Sequence, residues 1–339
     1  MPTISVCMIV KNEEGVLARC LDSLAGIYDE LIIVDTGSTD KTKTIARRYT
    51  RHVHDFVWNG DFAAARNFSL GFATCEYIYT ADADEMVDEE NRARFLILKQ
   101  ALLPEVEMVE MAYQNAMEHA TTANFKVEYR PKLFRRLRAF TFMDPLHEVL
   151  RTEPIVFRSD VSIRHCPAGG HGARDLAHFA HVLKRGAALS DRLAMMYARE
   201  LFLAGEKEDF SKAKPYFEEI LRDETSSANA KRRAACVLSE AAAREGDAAA
   251  LLHAAAPELV GLPPSEICCA LGEYYYNKRD CLLAREWYQA ACNAAQPELI
   301  AAAGGRLAYI GLSRCLKALG IQEQAAYYAN LAKDWQPVE

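Results

Sequence analysis

Three carboxylates that follow an apolar segment are the residues best suited to chemistry in this sequence. The run from Tyr77 to Thr80 is aromatic and β-branched, which predicts a short buried strand, and Asp82, Asp84 and Glu85 come directly after it. Because side chains alternate between the faces of a strand, Asp82 and Asp84 are expected to point the same way. Carboxylate oxygens suit Mg²⁺ or Mn²⁺, which keep coordination positions for phosphate oxygens. An acidic turn that opens a helix would use the same residues, so this pattern alone leaves both interpretations open.

The elements before these carboxylates indicate what positions them. Apolar segments predict strands at 4–10, 31–35 and about 52–57, and helices are predicted around residues 16–24, 45–49 and 62–72. Strands that alternate with helices predict an α/β domain with a mostly parallel sheet. In such sheets ligands bind beyond the carboxyl ends of the strands. Asn12, Glu13 and Asp35, which end the first two strands, are therefore expected to meet the carboxylates that follow the fourth strand.

This convergence predicts a nucleotide site. A carboxylate at a strand end can accept hydrogen bonds from a ribose hydroxyl or a base imide, while a metal ion at Asp82 and Asp84 would hold a diphosphate. The first strand is not followed by the glycine-rich phosphate loop of dinucleotide-binding or Walker-type proteins. The phosphates would then be neutralised by the metal and by side chains.

Four segments, in this order, resemble the family 2 glycosyltransferases of the GT-A fold: residues 10–14 (VKNEE), 33–40 (IVDTGSTD), 65–67 (ARN) and 82–85 (DADE). The resemblance covers roughly the first half of the chain. It implies a Rossmann-like, mostly parallel α/β domain and an inverting transferase that uses a nucleotide diphosphate sugar and Mn²⁺ or Mg²⁺. The expected donors are UDP-glucose and UDP-N-acetylglucosamine.

The resemblance also implies roles for individual residues. Glu13 and Asp35 would contact the nucleoside, and Asp82 and Asp84 would bind ribose, diphosphate and metal. Family members often carry a second Asp after the second strand; this chain has Thr36 there, which leaves Asp35 as the ligand. The full set implied to bind the nucleotide sugar is Val10, Asn12, Glu13, Asp35, Arg66, Asp82, Ala83 and Asp84.

Inversion at an anomeric carbon requires a base that takes the proton of the acceptor, and Glu148 and Asp144 are the candidates. Residues Arg130, 133–135 (LFR) and 147–148 (HE) resemble a subgroup of these enzymes that is joined to tetratricopeptide helices and includes peptide S-glycosyltransferases of the sublancin type. That resemblance favours Glu148 as the base. A surface carboxylate at Glu148 is the alternative.

Two further features complete the predicted site. His165 follows a predicted strand at 155–163 and resembles the late histidine that serves GT-A enzymes as a third metal ligand beside Asp82 and Asp84; a structural histidine is the alternative. Residues 106–115 and 125–137 also predict strands. The second is basic, which is typical of a solvated strand face, although one or two of its cations could hold diphosphate or an acidic acceptor; they are Lys126, Arg130, Lys132, Arg135, Arg136 and Arg138.

The second half of the chain predicts an all-α region of tetratricopeptide-like repeats. Strand signals end near Ala173, and small and large residues recur at the spacing of helix pairs around 198–220, 271–291 and 312–332, with a less regular pair at 228–252. A plain helical bundle is the alternative. The predicted domains are a GT-A domain at 1–170 and a helical domain at 171–339. Such repeats bind peptides or associate with one another, so a peptide or protein acceptor and a homo-oligomer are expected.

Composition limits the remaining functions. The 339 residues carry a net charge of −7 with acid and base spread through both halves, which does not favour a nucleic-acid partner. The longest apolar runs fall short of about 18 residues, and the N-terminus leads into a strand-like segment, so neither a membrane span nor a signal peptide is expected. The cysteines form no Cys-x-x-Cys pair, which favours reduced thiols and a cytoplasmic location. The alternative functions are a transferase for a cell-surface saccharide and a non-catalytic repeat scaffold with a degraded transferase domain.

Overall fold

The computed structural model describes residues 1–114, 127–137, 142–143, 149–150, 155–166, 172–186 and 188–336. These residues form two compact units. The first unit is drawn from residues 1–116 and 126–170, and the second takes most of its residues from 171–339.

The first unit is an α/β domain built on one large sheet. Its strands are β1 (Ile4–Val10), β2 (Glu30–Asp35), β3 (Val53–Asp55), β4 (Tyr77–Ala81), β5 (Glu85–Met86), β6 (Met108–Gln114), β7 (Val127–Arg135), β8 (Phe142–Met143), β9 (Val149–Leu150) and β10 (Val156–His165). Its helices are α1 (Leu17–Ser23), α2 (Thr42–Tyr49), α3 (Phe62–Leu70) and α4 (Glu89–Ala101). The strand order of the large sheet is β3-β2-β1-β4-β7-β6-β10-β5, and β8 pairs separately with β9.

The directions of the strands determine which strand ends share an edge of the sheet. β1 runs parallel to β2 and β4, and β2 runs parallel to β3. β7 is antiparallel to both of its neighbours, β4 and β6, while β10 is parallel to β6. The carboxyl ends of β1, β2, β4 and β10 therefore lie at the same edge of the sheet. The prediction of a mostly parallel α/β sheet is confirmed. β3 ends at Asp55, earlier than predicted, opposite Asp35 at the end of its partner strand β2.

Helices cover both faces of this sheet, and the alternation of side chains along β1 divides the core between them. Ile4, Val6 and Met8 belong to a large buried cluster that also includes residues of α1 and α4. Cys7 points the other way, into a smaller cluster that includes Ala63 of α3. Because strand residues alternate faces, one apolar strand supplies both layers of the core.

The second unit is entirely helical in its described residues. Its α-helices are α5 (Gly172–Lys184), α6 (Asp191–Ala204), α7 (Lys207–Arg222), α8 (Ala228–Glu245), α9 (Ala248–Ala255), α10 (Ser265–Asn277), α11 (Cys281–Asn293), α12 (Arg306–Ala318) and α13 (Gln322–Asp334). Several begin at a Ser or Asp whose side chain accepts an N–H of the first turn, as at Ser190, Ser227, Asp247 and Asp280. The predicted all-α region is confirmed, and its four predicted helix pairs correspond to α6/α7, α8/α9, α10/α11 and α12/α13.

Packing between these pairs depends on small residues that face one tyrosine. A Cβ atom added to Gly272 of α10 would lie 2.9 Å from the Tyr288 ring, and one added to Gly311 of α12 would lie 2.3 Å from it. The Tyr288 hydroxyl donates to Glu273 at 2.8 Å, and Arg314 binds the same carboxylate. Small residues thus let three helices approach one aromatic ring, as the repeat pattern predicts.

Candidate active site

Asp35 ends β2 with one carboxylate oxygen bonded and the other unpaired. Its side-chain Oδ2 accepts the backbone N–H groups of Gly37 at 3.1 Å and Ser38 at 3.0 Å. Gly37 has a φ of 101°, a conformation that glycine adopts without strain, and this makes the tight turn possible. Oδ1 is buried without a hydrogen-bond partner, and the whole residue is only 2% exposed. Because a buried carboxylate oxygen without a partner costs free energy, its position indicates a binding site for a hydrogen-bond donor.

Asn12 and Glu13 follow β1, beside Asp35 in the sheet, since Val10 pairs with Asp35. The side-chain Oδ1 of Asn12 accepts the backbone N–H of Thr39 at 2.8 Å. The backbone N–H of Glu13 donates to Thr42 Oγ1 at 2.7 Å. Both residues therefore join the loop after β1 to the loop after β2, and the amide oxygen of Asn12 is engaged within the protein.

Asp82, directly after β4, is held by two cations. Its Oδ1 accepts a hydrogen bond from Arg66 of α3 at 2.9 Å, and its Oδ2 lies 3.9 Å from Lys132 Nζ of β7. Burial opposes the charged carboxylate, but Arg66 and Lys132 outweigh this effect and hold the pKa of Asp82 below its usual range. Asp82 is therefore ionised at neutral pH and directed towards cationic side chains. Ala83, the next residue, is buried.

Lys132 is a part of the site that the sequence did not single out. It is 5% exposed, and its Nζ donates to Glu85 Oε1 at 2.6 Å. Burial raises the pKa of Glu85 to about 7, although Lys132 acts against the shift. Lys132 is the extra residue of a β-bulge, since Val109 of β6 pairs with Leu133 while Glu110 pairs with Pro131.

The bulge explains why Lys132 was predicted on a solvated face. A bulge turns the extra residue away from the direction that strict alternation gives it. The adjacent Pro131, which has no N–H to donate, is the only local signal for such an interruption. The Arg130 guanidinium lies 3.9 Å from the centroid of the Tyr113 ring, although 38% of the Arg130 side chain remains exposed.

Asp84 and His165 meet although they are far apart in sequence. The Asp84 Oδ2 and His165 Nε2 atoms lie 3.0 Å apart, and the backbone N–H of Cys166 donates to the Asp84 carbonyl at 2.7 Å. The pairing of β10 with β5 brings them together, because His165 lies opposite Glu85.

A carboxylate beside an imidazole fits Mn²⁺ or Mg²⁺ that completes its coordination with water and phosphate oxygens. Within the part of the chain that the structure describes, no group of three or more His, Cys, Asp and Glu side chains is arranged to hold a metal ion. The donor set that fits is therefore the pair Asp84 and His165, since Asp82 is directed towards Arg66 and Lys132.

The two candidate bases, Asp144 and Glu148, lie outside the described residues, between β8 and β9.

No helix among the residues placed by the structure is both long and apolar enough to cross a membrane.

The first unit therefore combines a mostly parallel α/β sheet with carboxylates, cations and a histidine at the carboxyl ends of its strands, which is the arrangement of a GT-A domain. Residues 5–148 match the family model for Glycosyl transferase family 2. The N-terminal part of the chain thus carries a family 2 glycosyltransferase domain, as its motifs predict.

Two relatives are similar to part of this chain. A TPR repeat-containing protein of Synechococcus elongatus is 35% identical over 150 residues, which are 44% of this chain and 36% of that protein. The SPbeta prophage-derived glycosyltransferase SunS of Bacillus subtilis is 35% identical over 101 residues, which are 27% of this chain and 22% of SunS. The chain therefore spans about a third or less of the length of these relatives.

Among solved structures, glucosyl-3-phosphoglycerate synthase from Mycobacterium tuberculosis, in complex with Mn²⁺ and UDP-glucose, is similar with a TM-score of 0.40 and 15% sequence identity. The similarity covers 56% of this chain and 81% of the synthase.

Proposed function

We propose that this protein is an inverting, metal-dependent glycosyltransferase that moves a sugar from a uridine diphosphate sugar to a peptide or protein. The observation that carries the proposal is the unpaired Oδ1 of Asp35, buried at the sheet edge that also holds Asp84 and His165. Neighbouring strands lie about 4.8 Å apart, so β2 and β4, which flank β1, are separated by roughly 10 Å. This separation is comparable to the distance between a nucleoside and its diphosphate.

The donor would lie across these strand ends. Asp35 and Glu13 bind the nucleoside, with Asp35 Oδ1 accepting a hydrogen bond from the base or the ribose. Val10, Asn12 and Ala83 line the same edge through the segments that follow β1 and β4.

The diphosphate end of the donor would be bound by charged side chains and a metal ion. Asp82 binds the ribose while Arg66 and Lys132 keep it oriented and ionised. Asp84 and His165 hold a divalent metal ion, which when bound neutralises the diphosphate and makes it a better leaving group. UDP-glucose and UDP-N-acetylglucosamine are the proposed donors, as the resemblance of the sequence motifs to family 2 glycosyltransferases implies.

Inversion requires a base on the side of the sugar opposite the departing diphosphate. We assign this role to Glu148, with Asp144 as the second candidate. The assignment is supported by the resemblance of residues 147–148 to the His-Glu motif of the peptide-modifying subgroup.

A peptide or protein acceptor is supported by the helical unit that follows the transferase unit. Stacked helix pairs present extended surfaces that suit a peptide segment or a second copy of the chain. We place the end of the catalytic domain near residue 170 and the start of the helical domain at 171.

The test is turnover of the donor. The protein is incubated with UDP-glucose or UDP-N-acetylglucosamine, with and without Mn²⁺, and release of UDP is measured; transfer is then followed by the mass increase of candidate peptides. Asp35→Ala, in which nucleotide binding is expected to be weakened, serves as the control. UDP release that requires Mn²⁺ and Asp35 supports the proposal. A wild-type protein that neither binds UDP nor turns over a nucleotide sugar would favour the non-catalytic scaffold instead.

A further inference from the structure

The loops that follow β1 and β2 are joined by a set of hydrogen bonds that we call the loop clasp, formed by residues 12–14 with residues 38–42. Asn12 contributes twice: its backbone N–H donates to Ser38 Oγ at 2.9 Å, and its Oδ1 accepts the Thr39 N–H at 2.8 Å. The remaining bonds are Glu13 N–H to Thr42 Oγ1 at 2.7 Å, Glu14 N–H to Asp40 Oδ2 at 3.1 Å, and Lys41 N–H to Glu14 Oε2 at 2.9 Å.

The backbone of Asn12 is in an unusual conformation that the clasp requires. Its φ is 56°, in the left-handed region that most residues other than glycine avoid. Asparagine enters this region more readily than other residues with a Cβ atom. Asn12 is therefore suited to this position in two ways, because it tolerates the turn of the backbone and supplies the oxygen that binds Thr39.

The clasp leads directly to the buried carboxylate. Ser38 accepts the N–H of Asn12 through its hydroxyl and donates its own backbone N–H to Asp35 Oδ2. Asn12, Ser38 and Asp35 thus form one continuous chain of hydrogen bonds. This chain occupies Oδ2 and leaves Oδ1 unpaired.

We propose that Asn12 is a positioning residue for nucleoside binding. It holds the turn at residues 36–40 against Asp35, so that Oδ1 is presented to the nucleoside before the ligand arrives. The inference rests on the proposed function, and it differs from a direct contact between Asn12 and the donor because the amide oxygen is already engaged by Thr39. A preformed site binds more tightly because the loops are already ordered and lose little conformational entropy on binding.

Three substitutions separate positioning from contact. Asn12→Ala removes the amide oxygen and disfavours the left-handed backbone. Asn12→Gly keeps the backbone conformation and loses only the oxygen. Asn12→Asp keeps an oxygen for Thr39 and the tolerance of positive φ but removes the amide nitrogen. Arg279, which has a φ of 65° between α10 and α11, provides a matched control, because Arg279→Ala introduces comparable backbone strain at a residue of the second unit that is not part of the clasp.

The measurements are the dissociation constants of UDP with Mn²⁺ and of uridine by calorimetry, together with kcat and KM for the donor. A hydrogen bond contributes about 0.5–1.5 kcal/mol, which corresponds to roughly two- to twelvefold in affinity. Asn12→Ala is expected to weaken UDP binding by about this factor or more and to raise KM with little change in kcat. Asn12→Gly is expected to lie between Ala and wild type. Asn12→Asp should bind uridine, which carries no phosphate to repel it, within about twofold of wild type.

Amide hydrogen exchange of peptides spanning residues 36–42 provides a readout without any ligand. Exchange should be faster in Asn12→Ala and Asn12→Gly and unchanged in Asn12→Asp and Arg279→Ala. Equal UDP affinity of Asn12→Ala and wild type would overturn the positioning role while leaving the proposed function intact. So would uridine binding by Asn12→Asp as weak as that by Asn12→Ala, because the amide nitrogen would then be the group in use. A wild-type protein that binds no UDP would overturn the proposed function itself, and the inference with it.

Discussion

Lys132 Nζ lies 2.6 Å from Glu85 Oε1 and 3.9 Å from Asp82 Oδ2, so one buried ammonium group forms ion pairs with two carboxylates that follow β4. Lys132 lies on β7, Glu85 begins β5 and Asp82 lies in the turn between β4 and β5. A β-bulge directs the lysine inward. A buried charge without its partner is costly, and the cluster is therefore expected to be maintained as a unit.

Lys132→Met should destabilise the first unit by about 3–5 kcal/mol, because Glu85 and Asp82 lose a buried partner. Glu85 would respond by binding a proton, and the double variant Lys132→Met/Glu85→Gln should recover part of the loss. Urea unfolding at neutral pH measures both effects. A single variant as stable as wild type would contradict the importance of the pair.

Asp35→Ala should weaken binding of UDP by about 10- to 100-fold, the range expected when a hydrogen bond to a charged group is lost. Oδ1 has no protein partner, so the ligand loses its hydrogen bond to this oxygen, and the bonds that Oδ2 accepts from Gly37 and Ser38 are lost as well. Calorimetry gives the affinity, and the melting temperature shows whether the fold is retained. Unchanged UDP affinity in a folded variant would remove Asp35 from the nucleoside site.

Asp84→Asn should lose the metal dependence of donor binding together with turnover. The substitution keeps the shape of the side chain but removes the charge beside His165 that a divalent cation needs. The measurement is UDP affinity and UDP release with Mn²⁺ and with excess chelator, and Asp88→Asn, which affects a helix cap, is the control. Full wild-type activity in chelator would exclude the metal role.

Glu148→Gln should reduce kcat by about a hundredfold to ten-thousandfold, the usual contribution of a general base, while donor affinity is kept. The variant preserves shape and removes basicity. A thiol acceptor would be less affected than a hydroxyl acceptor, because part of a thiol is already ionised near neutral pH. If the variant transfers sugar to a hydroxyl at the wild-type rate, Asp144 becomes the residue to test.

Gly311→Ala should destabilise the helical unit by about 1–3 kcal/mol. Its Cβ atom would lie 2.3 Å from the Tyr288 ring, and this overpacking opposes the gain in helix propensity that alanine normally brings. Gly15→Ala, where nothing lies within 4 Å of the added atom, is the control for the same substitution without a clash. Thermal unfolding followed by circular dichroism compares the two; equal melting temperatures would mean that the tyrosine moves freely aside.

The sequence by itself determined the α/β order of the first unit, the bounds of β1 at Ile4–Val10 and the helix pairs of the second unit. These features depend on local periodicity and on the residues that begin helices, which are readable along the chain. It also placed Asp35 at the end of an apolar strand. Because parallel strands end at the same edge of a sheet, this position put Asp35 at the edge where ligands bind.

Only the tertiary structure decided which side chains meet at that edge. The approach of Asp84 to His165 depends on the pairing of β5 with β10, and the inward turn of Lys132 depends on a bulge against β6. The engagement of Asn12 depends on a loop that is distant in sequence. Each is a contact between segments far apart along the chain, whose register is set by strand pairing and backbone irregularities that residue patterns do not encode locally.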